Sequence, residues 1–148
     1  MRDRDPSLGF GRTTRWLGRA GLLPFLLGPA LIAVDASRAD GYVQGLSVYA
    51  LCIVSFLLGS WWGLALIRRY PRILVVSNLL VVVAFIGWFA LGAQHALLLL
   101  AALLGIIVVI ERRHVMFVRQ PAYYRSLRGT LTTVASAGLC LAWLLGHA

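Results

Sequence analysis

The sequence predicts an all-α integral membrane protein, a bundle of five transmembrane helices with the amino terminus inside and the carboxyl terminus outside. Two observations predict this class. The 148 residues are 60% hydrophobic and 13% charged, whereas soluble domains have about half apolar and a quarter charged residues. The apolar residues are also gathered into long segments almost free of charge, which is typical of membrane-spanning helices.

The chain divides into a flexible basic cytoplasmic arm, residues 1–15, and a single five-helix membrane domain, residues 16–148. The arm contains proline, glycine and alternating charges, as mobile termini often do. A helix of about 20 apolar residues crosses a hydrocarbon core of about 30 Å. Polar segments separate five apolar ones, which predict helices at about 16–34, 44–67, 73–93, 95–111 and 128–146.

Arg19 and Asp35 leave the first apolar segment only 15 consecutive uncharged residues. A cleaved signal peptide is an alternative, but Pro24, Pro29 and the lack of a clear small-residue cleavage motif favour a retained helix. Each proline removes a backbone donor and disturbs the preceding turn. We expect a kinked helix, and the alternative is a broken helix that lines a small polar cavity.

The arginines predict the orientation in the membrane. The formal charge is +9, and the chain contains no lysine. A tight turn at Gln94 and His95 would join the third and fourth helices. With five spans, every arginine except Arg38 then lies on one side of the membrane. The positive-inside rule assigns that side to the cytoplasm, and this explains the basic charge without a nucleic-acid partner.

The second apolar segment places its largest side chains beside its smallest. On a helical wheel, Ser55, Gly59 and Gly63 share one face. Such a face lets another helix approach closely in lipid, and packing within the chain is the favoured interpretation. Trp62 borders this face, and two roles are open for it: a place in an interfacial aromatic belt, or a cap over the small residues that contacts a partner helix or ligand. Trp61 points away and is expected to join the aromatic belt.

The fifth segment carries a similar stripe of small and hydroxyl residues that includes Thr132 and Ser136. We therefore expect the second and fifth helices to form a central pair. Arg128, at the start of the fifth helix, would then reach Trp62 for a cation–π contact. Asn78, inside the third helix, is expected to hydrogen-bond a neighbouring helix.

Few side chains in this sequence can carry chemistry. Glu111, the only glutamate, shares a helix face with His114, and we interpret the two as an interfacial ion cluster. Cys52 and Cys140 lie inside apolar segments and are interpreted as packing residues. Because no pattern typical of catalysis or metal ligation is found, the sequence predicts a non-enzyme without cofactor or metal.

Three stretches together resemble the motifs of one family: RAGLLPFLLGPAL at 19–31, YALCIVSFLLGSWWGLAL at 49–66 and PAYYRSLRGTLTTVAS at 121–136. They resemble the domain of unknown function 3429 family, a transmembrane protein 69-like group. The resemblance implies a multi-helix protein of bacterial or mitochondrial inner membranes and implies no activity. The motifs point to Pro24, Phe25, Tyr49, Ser55, Phe56, Gly59, Trp62, Gly63, Tyr124, Leu127, Arg128 and Thr132.

Two functions are compatible with these features. The favoured hypothesis is a non-enzymatic accessory, assembly or stabilising subunit of a larger complex in the bacterial inner membrane. Its helix-packing or partner face would comprise Ser55, Gly59, Trp62, Gly63, Thr132 and Ser136. The alternative is a carrier or sensor of a small hydrophobic ligand or lipid, with a candidate cavity at Pro24, Phe25, Tyr49, Trp62, Asn78 and Arg128.

A membrane enzyme that uses Glu111 and His114 is the least favoured hypothesis. The expected partners are membrane lipid and other inner-membrane protein subunits, and no nucleic acid is expected.

Overall fold

The regular elements in the described part of the chain are all helical. The computed structural model describes residues 13, 15–117 and 122–147, with the backbone alone at 122–124. Within these residues, four helices are long and apolar enough to cross a membrane: Arg15–Val34, Ala36–Arg68, Pro71–Arg113 and Arg125–Leu145. The chain is therefore a multi-pass membrane protein.

The first of these helices is interrupted by a turn. Residues 15–20 are helical, Gly21 and Leu22 form the turn, and α1 then covers Leu23–Val34. Pro24 explains the break, because it lacks the N–H that would continue the hydrogen-bond ladder. The hydroxyl of Tyr49 donates to the carbonyl of Gly21 at 3.0 Å, which satisfies a backbone acceptor at the interruption.

Pro29 lies inside α1 and removes the donor for the carbonyl of Phe25. That carbonyl lies against Gly138 of the last helix, so closely that a Cβ at Gly138 would collide with it. The two helices approach here at backbone distance. The glycine thus accommodates a carbonyl that the proline leaves without its helical partner.

Helix α2 covers Ala39–Arg68 and buries one continuous stripe. Arg69 ends the helix in the left-handed conformation (φ 58°), and the N–H of Tyr70 bonds the carbonyl of Ala65. Pro71 then starts the next helix. The buried residues recur every three or four positions, as expected of one helical face, and are Val43, Leu46, Ser47, Ala50, Val54, Leu58, Trp61 and Ala65.

Helix α3 covers Pro71–Arg113 and folds back on itself at Gly92. The backbone there (φ 73°, ψ 165°) is open to glycine and strained for other residues. Gly87 and Leu99 are in direct contact across this point, although twelve residues of straight helix would separate them by about 18 Å. The turn therefore lies at Gly92, two residues before the turn predicted at Gln94 and His95.

The second arm of α3, residues 93–113, is the centre of the bundle. Its inward side chains are almost fully buried, namely Ala96, Leu97, Leu100, Leu103, Leu104 and Ile107. Helix α4, Ala122–Leu145, runs antiparallel to this arm. Ser136 donates to the carbonyl of Ala101 at 3.3 Å, and Gln94 donates to that of Trp143 at 2.8 Å.

The expected central pair of second and fifth helices is wrong. Most contacts of α2 and of α4 are with α3, and the two touch each other little. The physical reason is that the second arm of α3 presents large apolar side chains over a wide face, which fill the space between α2 and α4. The small residues of α2 are not needed for that packing.

The contact of Gly138 with Phe25 makes a testable prediction. Gly138→Ala should lower the free energy of unfolding by about 1–3 kcal/mol, because the added methyl group meets a backbone atom that cannot rotate away. Gly59→Ala is the matched control, since nothing lies within 4 Å of a Cβ at that position. It should be neutral or stabilise the helix by up to about 1 kcal/mol.

Both variants can be measured by denaturant titration in mild detergent, with tryptophan fluorescence as the signal. Equal unfolding midpoints for the two variants would contradict the close packing of α1 on α4.

Candidate functional site

The most polar buried point of the molecule is a cluster around Glu111, in the last turn of α3. The indole Nε1 of Trp61 donates to Oε1 of Glu111 at 2.7 Å. Arg128 donates through Nη2 to the same oxygen at 2.7 Å and through Nε to Oε2 at 2.9 Å. Three helices therefore meet at one carboxylate, which we call the Glu111 centre (Trp61, Glu111 and Arg128).

The Glu111 centre is largely buried, and Arg128 is its most exposed member. Glu111 is 9% exposed and Trp61 1% exposed, and the Arg128 side chain is 13% exposed. The ring of Phe117 lies 5.2 Å from that of Trp61. Arg68 donates to the carbonyl of Met116, which ties the segment after α3 to the end of α2.

The geometry of the centre suits a structural ion pair. The two parallel bonds from Arg128 match the planar carboxylate, an arrangement that adds both energy and direction. Removing one partner of such a buried pair costs about 3–5 kcal/mol, because the other charge stays without compensation. Oε1 of Glu111 accepts two of these bonds and Oε2 accepts one, so the carboxylate is held in place by two neighbouring helices.

A cleft of about 410 Å³ lies beside this centre. Arg128 and Thr132 are its polar side chains among apolar neighbours, and the exposed Leu17 and Phe56 border it. The cleft therefore opens to the outer surface of the bundle. Its lining comes from the helical segments on either side of the Gly21 turn, from α2, from the second arm of α3 and from α4: Leu17, Gly18, Gly21, Leu22, Phe25, Ile53, Phe56, Leu57, Leu104, Leu127, Arg128, Leu131, Thr132 and Ala135.

The small-residue face of α2 is uncovered. A Cβ added at Gly59 or Gly63 would meet nothing within 4 Å, and Trp62 beside them is 44% exposed. The expectation that this face packs within the chain is thus wrong for the residues that the structure describes. Ser136, which was grouped with it, instead bonds the second arm of α3 through the carbonyl of Ala101.

The two adjacent tryptophans have the opposite roles from those expected. Trp61 lies in the core and bonds Glu111, whereas Trp62 faces outward. On the helical wheel the small-residue face of α2 was predicted to be packed. In the structure the opposite face, which contains Trp61, is buried. Arg128 reaches Glu111 in place of the expected cation–π contact with Trp62.

The residues of the predicted ligand cavity separate into different places. Phe25 and Arg128 line the large cleft, whereas Pro24 and Tyr49 line a smaller cavity of about 240 Å³ between α1 and α2. Asn78 is exposed on the first arm of α3, and its Nδ2 donates to the carbonyl of Leu74 in its own helix.

The opposite end of the bundle carries a second, more exposed polar group. Nε2 of Gln94 lies 2.9 Å from Nδ1 of His147, and the rings of His95 and His147 lie 5.7 Å apart. Cys52 and Cys140 are free and exposed. In the described segments, no three His, Cys, Asp or Glu side chains are grouped so as to hold a metal ion.

The link between Glu111 and Arg128 was not predicted from the sequence, although each residue was a candidate. One signal could have joined them. Glu111 ends one apolar segment and Arg128 begins the next. If both helix ends lie at the same membrane surface, two opposite charges at helix ends are expected to pair rather than face lipid alone. The hydrogen bond from Trp61 to Glu111 had no comparable signal, because no sequence pattern indicates which acceptor an indole N–H will bond.

Comparisons with known proteins give one matching family model and a curated relative. The family model described as "Protein of unknown function (DUF3429)" matches residues 11–145. Transmembrane protein 69 of Xenopus tropicalis is 30% identical over 124 residues, which cover 81% of this chain and 49% of that protein. The chain thus spans about half the length of this curated relative. No solved structure matches the chain.

The hydrogen bond from Trp61 to Glu111 makes a testable prediction, for which the neighbouring Trp62 provides the control. Trp61→Phe keeps an aromatic ring but removes the N–H that Glu111 accepts, and should cost about 1.5–3 kcal/mol of unfolding free energy. Trp62→Phe removes an N–H from an exposed side chain and should cost less than about 0.5 kcal/mol. Chemical unfolding in detergent measures both, and a larger loss for Trp62→Phe would contradict the assignment.

Proposed function

Because the chain belongs to the DUF3429 family of proteins of unknown function, we propose a role from its own residues: a non-enzymatic accessory, assembly or stabilising subunit of a larger membrane complex. The proposed setting is the inner membrane of a bacterium. The proposed topology has five spans, with the amino terminus in the cytoplasm and the carboxyl terminus outside.

The fold of α3 supports the count of five spans. Gly92 divides α3 into arms of 71–91 and 93–113, and 21 helical residues extend about 32 Å. Each arm is thus long enough for a hydrocarbon core of about 30 Å. With the three other long apolar helices, the chain would cross the membrane five times.

The arginines support the orientation. All of them except Arg38 lie before or within the first two turns of the first span, at the α2–α3 junction, or between the last turn of α3 and the first two turns of α4. In a five-span arrangement these three positions are at the same membrane surface. Short basic loops are retained on the cytoplasmic side, so this surface would face the cytoplasm and the Gln94–His147 end would face outward.

The uncovered face of α2 is the observation that carries the accessory role. Gly59 and Gly63 lie one turn apart with open space above them, beside the exposed Phe56 and Trp62. In lipid, small residues at this spacing allow two helix backbones to approach and gain dispersion contacts. The chain's own helices cover the opposite face of α2, so the matching helix would come from another protein.

Glu111 supports a non-enzymatic role, since its two oxygens are engaged by Trp61 and Arg128. A general base needs a free acceptor within hydrogen-bond reach of a substrate. Here the one glutamate of the chain is instead an internal contact between helices.

The partner face makes a testable prediction. The tagged protein should be extracted from its native membrane into nanodiscs, and a stoichiometric second protein should copurify. Gly59→Leu should reduce the copurified amount at least about tenfold, a loss of about 1.4 kcal/mol of binding energy, because leucine fills the space that the partner helix needs. Mass spectrometry of the eluate gives the amounts.

Gly105→Leu is the matched control, because Gly105 also has nothing within 4 Å of a Cβ but lies on the second arm of α3. It should retain the partner. A wild-type eluate that holds this chain alone, or equal retention by both variants, would overturn the accessory role.

A further inference from the structure

We propose that the cleft beside Arg128 is a binding site for one anionic phospholipid from the leaflet at the arginine-rich end of the bundle. An acyl chain would occupy the cleft, and the phosphate of the headgroup would be held by arginines at its mouth. The cleft borders the uncovered face of α2 at Phe56, but its lining does not include Gly59 or Gly63, so different variants test the two proposals.

The size and lining of the cleft suit an acyl chain. Its volume of about 410 Å³ falls within the roughly 300–1,000 Å³ of sites that enclose small ligands. The floor is formed by Leu104 and the walls by apolar side chains such as Phe25, Leu57 and Leu131. Because the opening faces outward between Leu17 and Phe56, a lipid chain could enter sideways from the bilayer.

The charges near the cleft suit an anionic headgroup. Arg19 is exposed and lies between two glycines that line the cleft, Gly18 and Gly21. Arg125 is exposed one turn before Arg128. The Nη2 atom of Arg112 lies 2.7 Å from the Cβ position of Gly129, the residue after Arg128. Arg128 thus lines the cleft itself, and Arg19 and Arg125 are exposed within one helical turn of lining residues.

The carboxylate that the described residues place at this end already has a cationic partner. Glu111 is the carboxylate that the described residues place there, and it is paired with Arg128. Asp35 and Asp40 lie beyond the far end of α1. Within the described residues, Arg19, Arg112 and Arg125 form no ion pair with a carboxylate. An interfacial basic cluster attracts anionic lipid headgroups at about 1 kcal/mol per arginine.

The same charges argue against a second copy of the chain as the occupant. A copy in the same orientation would bring another set of arginines to the mouth of the cleft, and like charges at an interface are unfavourable. A phosphate headgroup instead supplies oxygen acceptors to guanidinium groups, a geometry that arginine recognises well.

The direct test is a lipid titration of the purified full-length protein, followed by native mass spectrometry. The probes are phosphatidylglycerol and phosphatidylcholine with identical acyl chains. The wild type should hold one phosphatidylglycerol at least about tenfold more tightly than phosphatidylcholine, since two or more arginines add about fivefold each.

The headgroup site is tested by Arg19→Gln with Arg125→Gln. This double variant should bind phosphatidylglycerol on the order of 25-fold more weakly than the wild type. The matched control is Arg69→Gln with Arg72→Gln, which removes the same charge from exposed positions at the α2–α3 junction. The control should keep the wild-type affinity.

The acyl site is tested by Thr132→Phe, whose larger side chain fills the cleft and should abolish binding of both lipids. The elution profile and melting temperature of Thr132→Phe show whether this variant is folded. If it is unfolded, the arginine variants still test the site. Soluble glycerol phosphate should not displace the lipid. Equal affinity for the two lipids, equal losses in both arginine pairs, or displacement by glycerol phosphate would each overturn the proposal.

Discussion

The ion pair between Glu111 and Arg128, completed by the indole of Trp61, is the constraint on which the arginine-rich end of the structure depends. It joins α2, the second arm of α3 and α4 through one carboxylate. A charge in an apolar bundle is costly unless it is paired and hydrogen-bonded. Each partner must therefore keep its place, and this restricts how α2 and α4 rotate about α3.

The rotation of α2 and α4 about α3 determines which of their faces are exposed at the surface of the bundle. Turning Trp61 inward to Glu111 turns Gly59 and Gly63 outward, where they form the uncovered face of α2. Placing Arg128 against Glu111 brings α4 to the wall of the cleft, while α1 and the helical segment before the Gly21 turn border its other side. The proposed partner surface and the proposed lipid site are both consequences of where one carboxylate is buried.

Local sequence patterns were sufficient for the helical class and not for the packing. Long uncharged segments identify the helices, and Pro24 marks the interruption of the first one, because these are effects within one segment. Which face of α2 is buried depends instead on the partner that α3 supplies. Small residues allow close approach without requiring it, so Gly59 and Gly63 fit a packed or an open face equally well. The pairing of Glu111 with Arg128, across 17 residues, depends on how the helices assemble.

A double-mutant cycle on Glu111→Gln and Arg128→Met would test this account most directly, with unfolding free energies measured in one detergent. Arg128→Met alone leaves the buried carboxylate without its cation and should cost about 3–5 kcal/mol. Adding Glu111→Gln removes that charge and keeps an oxygen for Trp61, so the double variant should be more stable than Arg128→Met alone. If the losses of unfolding free energy of the two single variants simply add in the double variant, Glu111 and Arg128 are not coupled. That result would contradict the claim that their ion pair organises the bundle.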